Sequence, residues 1–269
     1  MNSEAIYIHP TAIVSGAVHL EQEVRIGPYT IIEGPVAIGQ GTVIGPHCHI
    51  LGPCVIGRKN LIGSNVVIGG RPQDQKYRGE DTRVEIGDEN VIRENVTIHR
   101  GTGRSGVTRI GHRNFLMVGC HIAHDCIVGN DCTLANNALL GGHCTVEDLA
   151  YISGNAAVHQ YCRLGRLSLL SGCSAVSKDV PPFIIQQGHN TVRGINVVGM
   201  RRAGLRPEQI DAIRRLYHIM YLQSLSVPNA LARIEAELGH LDVVREFVRF
   251  VRGSKRGICG TRAGWADAA

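Results

Sequence analysis

The sequence predicts a mainly β protein, a parallel β-helix of hexapeptide repeats with a C-terminal α-helical domain. Three observations predict it: aliphatic residues that recur every six positions, a second column of small residues in the same phase, and helical periodicity after about residue 195. The composition agrees, because 33 glycines and only 4% aromatic residues suit a narrow interior lined by aliphatic side chains.

The six-residue period runs from Ile8 to Val176 and is broken only at Asp74, Glu80 and Arg104. Two residues before each aliphatic position lies the small column, which holds alanine, valine, threonine or cysteine. One hexad describes a short strand and a turn, and three hexads make a triangular coil of about 18 residues, stacked at about 4.8 Å. About nine or ten such coils are expected. Glycine often follows the aliphatic residue, and there we expect a tight corner with positive φ.

The interruptions preserve the hexad phase, so residues 70–84 and 101–108 are expected to be excursion loops that leave the prism. Such a polar loop is either a binding element or a solubilising excursion. We divide the chain into the β-helix, residues 1–194, and a helical domain, residues 195–269, with a frayed tail from Cys259. Three helices are expected in that domain, the first with Pro207 in its first turn.

The charge is concentrated in the helical part of the chain. Residues 200–269 contain twelve Lys or Arg and seven Asp or Glu, which accounts for the net charge of +5. This basic surface would attract an acidic partner, or it is simply a solvated helix face, and no nucleic-acid-binding motif is present. Because no apolar run approaches the roughly 20 residues of a membrane span and the nine cysteines suit a reducing compartment, we expect a cytoplasmic protein.

The stretch HIAHDCIVGNDCTLANNALLGGHC, residues 121–144, combines histidines and cysteines. Its cysteines fall in the small inward column and are expected to be core residues. The histidines fall outside the inward columns, and the coil period stacks His124 under Gly142 and Gln160, and Asp125 under His143 and Tyr161. Three interpretations remain open from the residues alone: a general base beside glycine amides for acyl transfer, a zinc site, or surface histidines.

Several motifs together resemble one family. They are HIAHDC, RPQDQKY, TIHRGT, ANNALLGGH, AVHQYC, SGCSAV and DVPPFIIQQG. The chain resembles the hexapeptide-repeat acyltransferases, and within them the acyl-carrier-protein:UDP-N-acetylglucosamine O-acyltransferases that open lipid A biosynthesis. The resemblance implies a left-handed parallel β-helix, a homotrimer with active sites between adjacent prisms, and no metal or cofactor.

The resemblance also implies roles for individual residues. His124 would be the general base, Asp125 would orient it, and the N–H of Gly142 would face the oxyanion. Substrate contacts would come from Asp74, Lys76, His99, His121, His143, His159, Gln160, Asn196 and Arg202. The acyl chain would lie in a groove at Leu169, Gly172 and Asn190, and the basic helices would receive acyl carrier protein.

The chain departs from the family pattern at a few positions. Asn190 follows a transposed His189, and Val198 and Ala203 replace an acidic and a basic residue of the nucleotide-contacting segment. The acceptor could therefore be the 3-hydroxyl sugar or its 3-amino analogue. Two competing functions are a γ-class carbonic anhydrase with zinc on His99, His121 and His124, and a non-catalytic scaffold.

Overall fold

The computed structural model describes residues 5–103 and 106–261 and shows a three-sided solenoid of short strands followed by helices. Sheet 1 contains Tyr7–Ile8 (β1), Arg25–Ile26 (β4), Val43–Ile44 (β7), Leu61–Ile62 (β10), Val91–Ile92 (β13), Phe115–Leu116 (β16), Thr133–Leu134 (β19), Tyr151–Ile152 (β22), Leu169–Leu170 (β25), Ile184–Gln186 (β27) and Val192–Ile195 (β28). Sheet 2 contains Ile13–Val14 (β2), Ile31–Glu33 (β5), His49–Leu51 (β8), Val67–Gly70 (β11), Thr97–His99 (β14), His121–Ile122 (β17), Leu139–Leu140 (β20), Ala157–Val158 (β23) and Ala175–Val176 (β26). Sheet 3 contains Val18–Leu20 (β3), Val36–Ile38 (β6), Cys54–Ile56 (β9), Arg83–Ile86 (β12), Val107–Ile110 (β15), Ile127–Val128 (β18), Thr145–Val146 (β21) and Arg163–Leu164 (β24).

Neighbouring strands are parallel except for the final pair, β27 and β28, which is antiparallel. Along the solenoid the paired residues lie one coil apart in sequence. Ile122 pairs with Leu140, which is three hexads further along the chain. Across the first excursion Ile68 pairs with Ile98, so two extra hexads are inserted there. Across the second, Ile98 pairs with Ile122, so one extra hexad is inserted. Both insertions are whole hexads, which confirms the predicted phase, although the break at Arg104 itself lies outside the described residues.

The aliphatic column forms the interior of the prism. Ile26, Ile50, Ile98 and Ile122 are 0% exposed. The seven cysteines of the small column are buried and free, as predicted: Cys48, Cys54, Cys120, Cys126, Cys132, Cys144 and Cys162. Burial raises the pKa of Cys120 to about 11 and that of Cys132 to about 12, which keeps these thiols protonated. They therefore act as small apolar core side chains.

The prediction that the glycines after the aliphatic column have positive φ holds at Gly69 (φ 79°) and is wrong at the others of that set, Gly27, Gly39, Gly45, Gly57 and Gly63. The left-handed residues instead occupy the turn position three places before the aliphatic column, as at Asp125 (φ 61°) and His143 (φ 60°). Gly39 is required for another reason, since a Cβ there would lie 2.6 Å from the carbonyl carbon of Gly57 in the next coil. Close stacking of successive corners, and not turn conformation, selects glycine there.

Four helices follow the solenoid: Val197–Arg202 (α1), Pro207–Leu222 (α2), Val227–Leu238 (α3) and Asp242–Arg252 (α4). The last three were predicted. Sequence periodicity missed α1, because its six residues are too few to show an apolar stripe. None of the helices within the described residues is long and apolar enough to cross a membrane.

The helical domain is fastened to the last coils of the solenoid. Arg166 makes a two-pronged ion pair with Glu246 of α4, with nitrogen–oxygen distances of 2.8 and 2.7 Å. The chain end returns as well, because the N–H of Cys259 donates to the carbonyl of Asp179 at 2.9 Å and Cys259 is 0% exposed. The prediction that the tail frays from Cys259 is therefore wrong at that residue, since backbone pairing orders it; residues 262–269 of the tail lie outside the described residues.

Candidate active site

His124 and Asp125 lie at the corner that joins β17 of sheet 2 to β18 of sheet 3. The same corner carries Gly142 and His143 one coil further on, and Tyr161 two coils further on. The N–H of His143 donates to the carbonyl of His124 at 2.9 Å, and the N–H of Tyr161 donates to the carbonyl of Gly142 at 2.9 Å. The stack is the one that the coil period predicts.

The two side chains at this corner form a hydrogen-bonded pair. Nδ1 of His124 lies 2.8 Å from Oδ2 of Asp125. When the carboxylate is the acceptor in this hydrogen bond, Nδ1 carries the hydrogen, and Nε2 of the neutral imidazole keeps its lone pair. The side chains are 11% and 0% exposed, respectively, so the histidine is far less open than the sequence alone indicates. An imidazole in this state can accept a proton at Nε2.

Gly142 packs against the imidazole ring of His124. A Cβ at Gly142 would lie 2.5 Å from Cε1 and 2.6 Å from Nε2 of that ring. Its N–H donates no hydrogen bond to any other residue within the described parts of the chain. Within the described residues, an amide without an acceptor therefore belongs to the residue that packs on the imidazole, an arrangement that suits an oxyanion donor beside a base.

Three more of the predicted site histidines, His99, His121 and His143, lie near this pair. The Nδ1 of His121 lies 2.7 Å from Oγ1 of Thr97, and the ring of His99 meets that of His121 edge-on at 4.9 Å. The ring of His143 stacks on Tyr161 at 4.5 Å. Burial lowers the pKa of His121 and that of His143, the latter against the opposing carboxylate of Asp125. Burial, followed by the charges of His121 and His124, lowers the pKa of His99 to about 4.

This depressed pKa makes stability depend on pH. Between pH 6.5 and about 4 the unfolded chain protonates His99 more readily than the folded chain, so the free energy of unfolding should fall as pH is lowered through that window. Urea unfolding at a series of pH values checks this. His99→Gln should flatten the dependence, whereas His19→Gln, at an exposed histidine, should not. An unchanged slope in His99→Gln would contradict the assignment.

The first excursion, between Gly70 and Arg83, approaches the same cluster. Oδ1 of Asp74 accepts from the N–H of Lys76 at 2.8 Å, and the charge of Asp74 opposes the lowering of the pKa of His143. Lys76 is exposed, and so are His159 and Gln160 two coils above His124. The loop and these residues thus line an open surface beside the buried pair.

The other predicted substrate residues lie elsewhere on the chain. Leu169 is in sheet 1, and Gly172 is on the corner between sheets 1 and 2, whereas His124 is on the corner between sheets 2 and 3. Asn196 and Arg202 border a cavity of about 410 Å³ together with Leu169. A single chain therefore does not bring these residues into the His124 cluster.

The two asparagines that were predicted to contact substrate or the acyl chain make hydrogen bonds within the chain. Oδ1 of Asn196 accepts from the N–H of Gly199 at 2.9 Å, which caps α1, and its Nδ2 donates to the carbonyl of Leu167 at 2.9 Å. Asn190 bonds to the backbone N–H and the hydroxyl of Ser177, both at 2.8 Å. Both side chains shape the chain around the proposed binding surfaces.

One group of three side chains could hold a metal ion within the described residues, namely His124, Asp125 and His143. It differs from the set His99, His121 and His124 that the carbonic anhydrase interpretation requires. Nδ1 of His124 already lies 2.8 Å from Oδ2 of Asp125, in a hydrogen bond. That geometry is typical of a base and its orienting acid.

Comparisons with known proteins identify the family of this chain. The family described as UDP-N-acetylglucosamine O-acyltransferase, domain 2, matches residues 179–259, and the bacterial transferase hexapeptide family, six repeats, matches residues 17–50, 35–70 and 108–142. An acyl-[acyl-carrier-protein]–UDP-N-acetylglucosamine O-acyltransferase of Aliivibrio salmonicida is 46% identical over 96% of this chain and 99% of its own. One from Anaeromyxobacter sp. strain K is 46% identical over 93% and 98%. The chain belongs to the UDP-N-acetylglucosamine O-acyltransferase family.

Solved structures of this O-acyltransferase family share the whole architecture. The UDP-N-acetylglucosamine acyltransferase of Francisella novicida superimposes with a TM-score of 0.91 at 36% identity, covering 94% of both chains. The UDP-N-acetylglucosamine O-acyltransferase of Moraxella catarrhalis gives 0.90 at 39% identity, covering 94% of this chain and 99% of its own. The solenoid and the helical domain are thus both features of the O-acyltransferase family.

Proposed function

We propose that this chain transfers a 3-hydroxyacyl group from acyl carrier protein to the 3-position of UDP-N-acetylglucosamine, the first step of lipid A biosynthesis. The observation that carries the proposal is the pair of His124 and Asp125, 2.8 Å apart, with Gly142 packed on the imidazole. Family membership supplies the substrates, because the relatives are named for acyl carrier protein and UDP-N-acetylglucosamine.

The reaction needs one proton relay and one open amide. Nε2 of His124 takes the proton of the sugar 3-hydroxyl while Asp125 holds Nδ1–H and stabilises the imidazolium. The sugar oxygen attacks the thioester carbon, and the N–H of Gly142 stabilises the oxyanion. The C–S bond then breaks, and the thiolate that leaves accepts the proton from His124. The chain itself forms no covalent bond.

The remaining site residues are assigned to binding. We assign Asp74, Lys76, His99, His121, His143, His159 and Gln160 to the sugar nucleotide around the His124 corner. Asn196 and Arg202 belong to a nucleotide-contacting segment, and Leu169, Gly172 and Asn190 to the acyl-chain groove. Because Gly172 leaves the groove open, a long hydroxyacyl chain is favoured.

A homotrimer would complete this site. Within one chain, His124 and Gly172 occupy different corners of the coil. A threefold arrangement sets one corner of each prism against a neighbour, so that residues from two subunits enclose one cleft. Light scattering of the purified protein should therefore give three times the chain mass of 29.1 kDa. A monomer that is fully active would exclude the shared cleft.

Product analysis tests the proposed reaction. The purified chain is offered 3-hydroxyacyl carrier proteins of several lengths with UDP-N-acetylglucosamine or its 3-amino analogue, with and without a chelator, and products are identified by mass. We expect an O-linked hydroxyacyl ester from the 3-hydroxyl sugar, unaffected by chelation. An amide formed only from the 3-amino sugar would show that this sugar is the acceptor. Loss of activity on chelation, together with zinc in the purified protein, would support a zinc enzyme.

Acyl carrier protein is strongly acidic, and the helical domain offers cations for it, though fewer than the sequence predicts. Arg214 pairs with Asp211, Arg215 with Glu237 and Arg252 with Glu235. Arg249 has no ion-pair partner within the described residues and borders two adjoining cavities of about 600 and 490 Å³ beside α4. Arg249 is therefore one exposed cation of the helical domain that is available to an acidic partner.

Reversing this charge should weaken docking. We expect Arg249→Glu to raise KM for hydroxyacyl carrier protein about tenfold at low ionic strength, with a smaller effect as salt screens the interaction. KM for the sugar nucleotide should not change. Lys59→Glu, at an exposed lysine near the other end of the solenoid, is the matched control. If neither the substitution nor the ionic strength changes KM for carrier protein, Arg249 is excluded from the docking surface.

A further inference from the structure

The second excursion, between β14 and β15, folds back onto the catalytic corner. The backbone N–H of Thr102 lies 2.9 Å from Oδ1 and 3.0 Å from Oδ2 of Asp125. The hydroxyl of Thr102 donates to Oδ2 at 2.6 Å. A Cβ at Gly101 would lie 2.8 Å from Oδ1, so the loop is packed directly on the carboxylate. This loop was predicted to be a binding or solubilising element, and in the structure its Thr102 contacts the acid.

These hydrogen bonds are made to a carboxylate that is buried from solvent. The Asp125 side chain is 0% exposed, and a buried charge is costly unless protein donors replace its hydration. The strand after the loop supplies a further contact, because Oγ1 of Thr108 accepts from the N–H of Asp125 at 2.8 Å. Two threonines, Thr102 and Thr108, therefore hold the side chain and the backbone of Asp125.

The hydroxyl of Thr102 donates to the same carboxylate oxygen that is hydrogen-bonded to His124. Oδ2 accepts both from this hydroxyl at 2.6 Å and from Nδ1 of His124 at 2.8 Å. The backbone N–H of Thr102 is shared between the two carboxylate oxygens and does not by itself select one of them. The hydroxyl makes the shortest of these contacts to Oδ2, which Nε2 of His143 also approaches at 3.5 Å. It therefore restrains the rotation of the carboxylate about its last bond, and with it the orientation of the imidazole ring.

We propose that Thr102 is a positioning residue for the reaction assigned above, on which this inference rests: its hydroxyl locks the Asp125 carboxylate and so holds His124 in the tautomer with hydrogen on Nδ1 and a free Nε2. Without that hydroxyl the carboxylate rotates, and His124 samples both neutral tautomers. Only one of them can accept the substrate proton at Nε2. Thr102 contacts Asp125 and not the reacting atoms, so its loss affects turnover and leaves substrate binding intact.

The test compares Thr102→Ala, which removes the hydroxyl, with Thr102→Ser, which retains it. Thr42→Ala is the control, because the hydroxyl of Thr42, a buried threonine away from this corner, also donates one hydrogen bond, to the carbonyl of Gly57 at 2.8 Å. Histidine-selective ¹⁵N labelling reports the tautomer of His124, with the signal assigned by its absence in His124→Ala. Steady-state kinetics with hydroxyacyl carrier protein and UDP-N-acetylglucosamine report turnover.

We expect Thr102→Ala to mix the His124 tautomers and to lower kcat about tenfold at unchanged KM, and Thr102→Ser to restore both. Thr42→Ala should lower only the unfolding temperature. A His124 signal in Thr102→Ala identical to that of the parent protein would overturn the inference. The spectrum is read without substrate, so this result is distinct from an absence of acyl transfer by the parent protein, which would overturn the proposed function instead.

Discussion

We expect His124→Ala to lower kcat for acyl transfer by a factor of about 10³ to 10⁴, the upper range for a positioned general base. The substitution removes Nε2, the acceptor that lies beside Gly142, and leaves Asp125 without its imidazole donor. Turnover is measured from product mass with saturating hydroxyacyl carrier protein and UDP-N-acetylglucosamine. The solenoid should stay folded, because the ring packs on the outer face and not in the core of the prism.

His19→Ala is the control for this variant, since His19 is an exposed histidine on β3 near the start of the solenoid. It should retain the parent turnover. If His124→Ala also keeps kcat within about tenfold of the parent, general-base catalysis at this corner is excluded, and a scaffold or a different catalytic residue has to be considered.

We expect the second largest effect from Gly142→Ala, with kcat lowered about 10²-fold. The new methyl group would lie 2.5 Å from Cε1 and 2.6 Å from Nε2 of His124, so the ring has to move. A displacement of about 1 Å at a reacting group can cost this much. The amide N–H remains, and hence the loss isolates the effect of ring placement from that of the oxyanion donor.

Gly194→Ala is the matched control, because a Cβ at Gly194 meets no atom within 4 Å. Both variants are assayed for turnover and for thermal unfolding. Parent-like turnover in Gly142→Ala, with the solenoid intact, would show that Gly142 does not pack on His124 as described.

The corner that carries His124 could be predicted from sequence because residues 18 positions apart stack on each other in a regular solenoid. His124, Gly142 and Gln160 are each one coil apart in sequence, and each lies directly above the previous one. The cysteines could be assigned to the core by the same count. The repeat predicts the position of a residue but not the physical constraint that selects it. Gly39 has the predicted position, but close stacking and not positive φ requires glycine there.

The parts that leave the repeat could not be predicted. The return of Thr102 to Asp125 depends on the path of a loop with no period, although Thr102 ends the motif TIHRGT. The ion pairs of Arg215 and Arg252 depend on how α2, α3 and α4 pack together, and that of Arg214 on its choice of side-chain conformation. Sequence charge therefore overestimates the cationic surface available to an acidic partner.

In the proposed mechanism the acyl group passes directly from carrier protein to the sugar oxygen, with His124 as base and no acylated residue. The most direct test mixes the chain with 3-hydroxyacyl carrier protein in the absence of sugar nucleotide and measures the intact protein mass. UDP-N-acetylglucosamine is then added. We predict an unchanged mass and an intact thioester until the sugar arrives, followed by acyl-sugar formation. A mass increase equal to one hydroxyacyl group before the sugar is added, on the exposed Cys173 or any other residue, would contradict direct transfer.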